Sequence, residues 1–548
     1  MLDRSSPAKA ALNPITVEVI GSALASIVEE MGEALVRASH STNIKERRDC
    51  STALFDAAGA TLCQAEHIPM HLGSFLEFVP YILRHYAPET LAPGDVFIGN
   101  DAYEGGGTHL PDIVLAEPIF EGERLIAWAI NTAHHADFAD RAHANIYQEG
   151  IRLPPVRLYR RGVLNEDLHR TFLLNCQVPE ERVSDLRAQM AANRLGVTRM
   201  AELCRKYGTN VVLQAGQELM DYGERKMRAG ILAIPDGTYE FSDVFDAECF
   251  EGAMPLSVRI AIAGDEMDLH FTSPPQIRAG INLVYSALLA TVYYAVKTVV
   301  DPTILPNAGL ARPIRVHAQK GTVLSCAHPA AVDGRVAIAQ RVVDLVHGAL
   351  ARVVPAQVTA ASNGSVTAAA FSGAKPDGSL WVYLETIGGG MGARHNKDGL
   401  DGVHVHMSNT SNLPLEALET EYPLTLIEYG LVDGSGGVGE FRGGMGLRRV
   451  YRAEADCRVA ITGARFSTHP WGLAGGGAGG AGGFCVRGQP DRLVDGAGEL
   501  FRGEILEIVT AGSGGFGDPA RRAPDAVARD IRDGTITAEA AHAAYGPR

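Results

Sequence analysis

Imidazole and carboxylate side chains gather in the stretch Asn100 to Asp140, NDAYEGGGTHLPDIVLAEPIFEGERLIAWAINTAHHADFAD, which contains His109, Asp112, His134, His135 and Asp137. Mixed nitrogen and oxygen donors suit Zn²⁺, Mn²⁺ or Fe²⁺, and a ligand set that leaves a position open for water or substrate belongs to a catalytic ion rather than a structural one. No cysteine interrupts the stretch, so a thiolate site is not expected there. An isolated HxxD pair is usually a surface or turn feature. The neighbouring histidines and Asp137 are what lift this pattern above that reading.

For these residues to act together the chain must return on itself. Ile113 to Phe120 reads as a strand, Glu121-Gly122-Glu123-Arg124 as a turn and Leu125 to Asn131 as the returning strand. The hairpin register sets Asp112 opposite Ala133 or His134, which brings His109, Asp112 and His134 to one end of the ribbon. Pro111 keeps His109 and Asp112 out of a helix interior, so both enter from a loop. Asn43 to Asp49, NIKERRD, reads by itself as a solvated charge run. His67 and His71 in AEHIPMHLG are either further ligands or packing and capping groups, and Pro69 between them opposes a continuous helix.

Other chemistry is missing. There is no GxxxxGK[ST] phosphate loop and no GxSxG nucleophile elbow, and the GxGxxG match inside Gly475 to Gly483 leads into FCVRG rather than a helix. The chain therefore carries no nucleotide-binding motif. With Lys plus Arg at 49 against Asp plus Glu at 64, the net charge of -15 has the wrong sign for a nucleic-acid face. Eight scattered cysteines without a CxxC pair suggest a reduced compartment. The N-terminal MLDRSSPAKAALNPITVEVI lacks an uninterrupted apolar core and a cleavage site, so the expected location is cytoplasmic. Ile281 to Val300 is long enough to span a bilayer, but its Asn282, Ser286, tyrosines and Lys297 make it a buried helix with no membrane role.

The 548 residues, 46% hydrophobic and 21% charged, are ordinary for a globular protein of several units. Ile20, Leu24, Ile27, Met31 and Leu35 recur at helical steps within Ile15 to Ser39, an amphipathic helix. Cys50 to Gln64 reads as a hairpin around Asp56 to Gly59, and helical patterns follow at Ser74 to His85 and Glu181 to Gly230. Strand-like runs begin beyond Ile234. From about 365 glycine becomes dense, which allows positive φ and close backbone contacts, so this part reads as β-rich with tight turns. The expected class is α+β: a mixed α/β metal-binding region over 1–234, a central α+β region over 235–364, a Gly-rich β region over 365–521 and short C-terminal helices over 522–548.

The order of motifs resembles the hydantoinase B family, the second subunit of ATP-dependent hydantoinases and lactamases, which is related to 5-oxoprolinase and to carboxylase subunits acting on acetone or acetophenone. The resemblance runs over about 12–520 and rests on SHSTNIKERRDCSTALFDAAG (39–59), AEHIPMHLGS (65–74), GDVFIGNDAYEGGGTHLPD (94–112), AHHAD (133–137), YQEGIRLPP (147–155), GGGMGARHNKDG (388–399), the segment from Asp433 to Gly446, PWGLAGG (470–476) and AGSGGFGDP (511–519).

That resemblance implies metal ligands at Asp49, His109, Asp112 and His134, with Asp49, His134 and Asp137 as candidate catalytic groups. It implies substrate contacts at Glu149, Arg394 and Asp398, residues that also suit turn or packing roles. It further implies a divalent metal (Zn or Mn), a small cyclic amide substrate, and a hetero-oligomer in which a hydantoinase A-type ATP-binding subunit phosphorylates the amide before ring opening. Phe138-Ala139-Asp140 and Asn100-Asp101-Ala102-Tyr103 depart from the family pattern and place bulkier groups beside the metal. A ketone carboxylase subunit and a non-catalytic assembly subunit are the alternatives; the chain length favours the hydrolase over the carboxylase.

Overall fold

The computed structural model describes residues 12–65, 67–136, 144–247, 249 and 252–546. The first helix runs Pro14–Ala38: Asn13 accepts from the Ile15 N–H at 2.9 Å as its cap, Pro14 occupies the first turn, and the Ile20, Leu24, Met31 and Leu35 stripe is buried. The expected helix from Glu181 to Gly230 is two, Pro179–Tyr207 and Thr209–Leu232, because Gly208 between them takes φ +87°. Likewise the segment from Ser74 to His85 is broken into His71–Phe75 and Phe78–His85.

Seven strands form the N-terminal sheet: β1 (Cys50–Asp56), β2 (Thr61–Gln64), β3 (Val96–Gly99), β4 (Asp112–Glu121), β5 (Arg124–His134), β6 (Val156–Arg160) and β7 (Val163–Leu164), in the order β2-β1-β5-β4-β3-β6-β7. The β4–β5 hairpin pairs Asp112 with His134 and keeps that register to Ile119 opposite Ala127, then shifts by one at a bulge so that Phe120 faces Leu125. Both anticipated registers thus occur, one on each side of the bulge. At the open end the pairing is Asp112 with His134. On the other side of β5, Cys50 of β1 pairs with Ala133, which brings Asp49 beside His134 and lets its carbonyl accept the His134 N–H at 3.0 Å.

Glu117 lies on β4 beneath the helix Pro179–Tyr207, 2% exposed, with Arg194 Nε 3.0 Å away. Burial pushes its carboxyl up to about 7 against the pull of Arg194. Because the folded value lies above the unfolded one, this residue's contribution to stability is full below about pH 4.5 and is lost as pH rises through 7. Glu117→Gln should therefore match the wild type in urea unfolding at pH 4.5 and exceed it by about 1–2 kcal/mol at pH 8, the shift being discounted for the exposed Arg194 partner. Identical pH slopes for the two proteins would contradict this.

The central sheet has strands β8 (Gly237–Phe245), β9 (Met254–Ala263), β10 (Glu266–Thr272) and β11 (Ile314–Ala318) in the order β11-β10-β9-β8. The apolar segment from Ile281 forms the helix Tyr285–Val300, packed on the helix Arg335–Leu350. Asn282, fully buried before it, donates to the Ile277, Ala279 and Ala331 carbonyls and accepts from the Ile277 N–H, so its polarity is satisfied inside the loop. Among the described residues no helix is long and apolar enough to cross a membrane.

The remaining strands are β12 (Thr367–Ala374), β13 (Leu380–Ile387), β14 (Leu424–Leu431), β15 (Leu447–Ala453), β16 (Cys457–Thr462), β17 (Gly483–Val486), β18 (Ala497–Leu500) and β19 (Ile505–Val509). They form two sheets, β13-β12-β16-β18 and β14-β15-β19-β17, around a core that includes Phe371, Tyr383, Tyr451, Ile461 and Ile508. The glycine-rich segments between them are less turn-like than expected. Many lie outside the regular strands and bond backbone to backbone, as in Gly444 N–H to Met391, Gly390 N–H to Ala511 and Gly514 N–H to Ala361. At Gly514 a Cβ would meet the Trp471 carbonyl closer than 3.0 Å, so the residue answers to close approach rather than to positive φ. Two short helices, Pro524–Arg532 and Ala538–Tyr545, end the described chain.

Candidate metal centre

Five donors converge where the open end of the β4–β5 hairpin meets the loop before β1 and the start of the His71–Phe75 helix. Asp112 is completely buried and its two oxygens have different tasks. Oδ2 accepts from Arg335 Nη2 at 2.7 Å and from Thr108 Oγ1 at 3.3 Å. Oδ1 lies 2.9 Å from His109 Nε2 and 3.6 Å from both His71 Nε2 and His134 Nδ1. Asp49 completes the ring, with Oδ1 3.6 Å from His71 Nε2 and Oδ2 3.6 Å from His134 Nδ1.

These contacts are not hydrogen bonds. His109 Nε2 and Asp112 Oδ1 are buried and without a hydrogen-bond partner although 2.9 Å apart, so the imidazole plane does not aim an N–H at the oxygen. Donors that each sit about 2.0–2.2 Å from one ion are themselves separated by roughly 3–3.6 Å. The observed separations match that spacing, and the ligand atoms of His109, Asp112 and His134 all fall within 4.8 Å of one another.

Protonation agrees. His109 Nδ1 lies 3.0 Å from the Asp333 carbonyl, which can only accept, so the proton resides on Nδ1 and the Nε2 lone pair faces the cluster. His71 Nδ1 is similarly engaged by Ser51 Oγ at 3.0 Å. Burial, opposed by Asp49, lowers His134 to about 4, leaving a neutral imidazole at ordinary pH. Burial alone would raise Asp112, but His109, His71 and Arg335 around it hold its carboxyl well below the usual carboxylate range.

The four anticipated ligands Asp49, His109, Asp112 and His134 are therefore brought together. His71, which the sequence left open between ligand and packing roles, joins them. His135 does not: its ring turns toward the helix Pro179–Tyr207 and meets Gln189 Oε1 at 3.1 Å. Asp137 and Phe138-Ala139-Asp140 lie outside the described residues. The expected solvated run before Asp49 is corrected by Arg47, which is wholly buried and donates to the Leu384 carbonyl and Thr386 Oγ1, fastening the loop of Asp49 to β13.

Beside the cluster is a cavity of about 90 Å³. Asp49, His71, His109, His134, Asp333 and Arg335 form one wall. The opposite wall is a face of the β13-β12-β16 sheet: Ala368 pairs with Thr386 and Thr462, and Ala370 with Leu384 and Ala460, so these six side chains form two rows across three strands. None of Glu149, Arg394 and Asp398 lines this cavity. Glu149 instead accepts the Val332 and Asp333 N–H groups at 2.6 and 2.9 Å, bracing the loop that delivers Asp333 and Arg335. Asp398 is bound by the Arg442 N–H and by the Arg522 guanidinium, and the Arg394 N–H bonds the Lys397 carbonyl.

A larger groove, about 760 Å³, opens on the β8–β11 sheet and contains His270 and His317. Asp268, His270 and His317 are close enough to share an ion, yet Asp268 is already bonded by Arg315 at 2.9 and 3.0 Å and by His317 at 3.1 Å. Asp268, satisfied by these bonds, contrasts with the orphaned Asp112 Oδ1 and His109 Nε2, whose cluster is the stronger candidate.

Comparison with known proteins shows the family. The hydantoinase B/oxoprolinase family profile matches residues 13–519. The chain belongs to that family. An uncharacterized protein of Methanocaldococcus jannaschii, MJ0963, is 37% identical over 97% of this chain and 96% of its own length. The B-type component of a putative D-/L-hydantoinase from a Pseudomonas species, strain NS671, is 33% identical over 98% of this chain and 95% of its own. The crystal structure of the ATP-dependent caprolactamase from Pseudomonas jessenii superposes with a TM-score of 0.87 at 28% identity, covering 98% of this chain and 96% of that one. The family and its mixed α/β fold are thereby established for this protein, while the five-donor cluster is a property of its own side chains.

Proposed function

We propose that this chain is the metal-bearing subunit of an ATP-dependent cyclic amide hydrolase, opening a lactam or hydantoin ring after a hydantoinase A-type partner has activated the amide by phosphorylation. One observation carries the reading: His109, Asp112 and His134 bring ligand atoms within 4.8 Å of one another beside a small cavity, and Asp49 and His71 lie 3.6 Å from members of that group. Their nitrogen and oxygen character fits a Zn²⁺- or Mn²⁺-class ion. When bound there, such an ion supplies Lewis acidity toward an amide oxygen and acidifies water.

The chain's own residues supply the rest. Arg335 holds one oxygen of Asp112 so that the other stays turned to the cluster, and the Asp333 carbonyl fixes the His109 tautomer. Asp333 also brings its Oδ1 to 3.4 Å from His109 Nδ1, which supports the same tautomer from the side of the ring away from the cluster. The Ala368 and Ala370 face excludes water from the ring's other side. The missing phosphate loop leaves ATP to the partner subunit.

The test is an ATP-coupled assay of the reconstituted complex against hydantoins, lactams and ketones. ATP-dependent ring opening without bicarbonate is expected. An absolute bicarbonate requirement with a ketone substrate would replace this reading with ketone carboxylation.

A further inference from the structure

We propose that the cavity selects cyclic amides whose ring carries no carboxylate, and that the sheet face of Ala368, Ala370, Leu384 and Ala460 makes the choice. The inference rests on the ring-opening reading of the same site. A reacting amide directed at the five-donor cluster must lay the remainder of its ring on the opposite wall, and that wall is apolar except for the hydroxyls of Thr386 and Thr462. Thr386 already receives the Arg47 guanidinium and bonds Thr410 Oγ1 at 2.7 Å.

A carboxylate on the ring would find no counter-charge there. Among the described lining residues the one Lys or Arg is Arg335, and its charge is already paired with the buried Asp112, Nη2 donating to Oδ2 at 2.7 Å while Nε donates to Thr108 Oγ1 at 3.0 Å. His71 and His109 turn Nε2 to the cluster and His134 turns Nδ1 to it, which leaves the unpartnered His134 Nε2 as a neutral group and no cation, and the remaining ionisable lining groups, Asp49 and Asp333, are themselves acidic. An unpaired carboxylate held against alanine and leucine loses hydration without compensation, whereas ring methylenes gain from leaving water. Alanine at Ala368, Ala370 and Ala460 leaves depth for a compact ring, and a cavity of about 90 Å³ has room for little more.

A matched pair of probes tests this. 2-Pyrrolidinone and 5-oxoproline share one five-membered lactam and differ by one carboxylate. Titrated into the full chain and followed by saturation-transfer NMR, 2-pyrrolidinone should bind on the order of 100-fold more tightly, or alone. Equal or tighter binding of 5-oxoproline, or binding of neither, overturns the proposal. Thr462→Arg, which offers a cation at the edge of the floor, should shift the ratio toward 5-oxoproline by about tenfold or more; an unchanged ratio in a folded variant counts against the floor as the selective surface. If that variant does not fold, the wild-type pair decides. The two readings fail differently: neutral rings preferred in binding but never opened with ATP and partner would sink the hydrolase reading alone, whereas 5-oxoproline bound more tightly and opened faster would sink the selectivity alone.

Discussion

His109→Ala should yield a folded chain that retains no stoichiometric divalent ion and loses ring-opening activity by at least about 100-fold, the loss that even an outer partner of a metal ligand can cause. The substitution removes Nε2, the donor closest to Asp112 Oδ1, and leaves the Asp333 carbonyl without its N–H. An orphaned buried acceptor costs about 1–3 kcal/mol, too little to unfold a chain of this size. The remaining carboxylates still repel each other without an ion between them, so the cluster does not reassemble around four donors with the same affinity. Metal analysis after dialysis reads this directly. Thermal unfolding gives a second measure, since saturating Zn²⁺ or Mn²⁺ at about 100 times its dissociation constant should stabilise the wild type by about 2.7 kcal/mol and the variant by far less. Equal metal content and equal stabilisation in both proteins would remove the metal centre.

The part of the centre that was legible in the sequence is the part made by local geometry. A short turn at Gly122 and Glu123 fixes the β4–β5 register closely enough to place His134 opposite Asp112, and Pro111 keeps His109 in the entering loop. The first helix was readable from its apolar stripe, whereas the break at Gly208, which takes φ +87°, was not read within the helical pattern from Glu181 to Gly230. Asp49 came only from the family resemblance, because its arrival depends on β1 pairing with β5, a long-range choice that periodicity does not encode. His71 was left undecided with His67 because both stand in one short motif, yet the chain separates them: His67 sits 3.9 Å from Glu29, whereas His71 opens a helix that points its ring inward. Arg335 and the floor residues Ala368 and Ala370 are more than two hundred positions away from His109 in the chain and carry no motif at all. Their role exists only after the central helix and the C-terminal sheet have docked on the hairpin end. Glycine density was visible, but composition does not say whether a glycine serves a turn or a neighbour's carbonyl.

Gly444→Ala resolves that last distinction and should destabilise the chain by about 3 kcal/mol, near the upper end of overpacking penalties. Gly444 has no left-handed backbone angle to explain its identity, yet a Cβ there would lie closer than 3.0 Å to the Leu400 carbonyl and to the Met391 N–H. Those atoms are backbone and cannot rotate away. Gly444 also donates to the Met391 carbonyl at 3.1 Å and accepts from Ser513 Oγ at 3.1 Å, so a shift of this segment breaks bonds on both sides. Gly430 in β14 is the control: nothing lies within 4 Å of its Cβ position, and Gly430→Ala should change stability by no more than about 0.5 kcal/mol. The contrast reaches the cavity wall, because the neighbouring Gly390 carbonyl accepts from the Asn363 N–H at 2.8 Å just before β12 begins, and β12 carries Ala368 and Ala370. In the fraction of Gly444→Ala that stays folded, binding of 2-pyrrolidinone should therefore weaken while the Asp112 cluster keeps its ion; unfolding midpoints for the two alanine variants that coincide would show that these backbones yield after all.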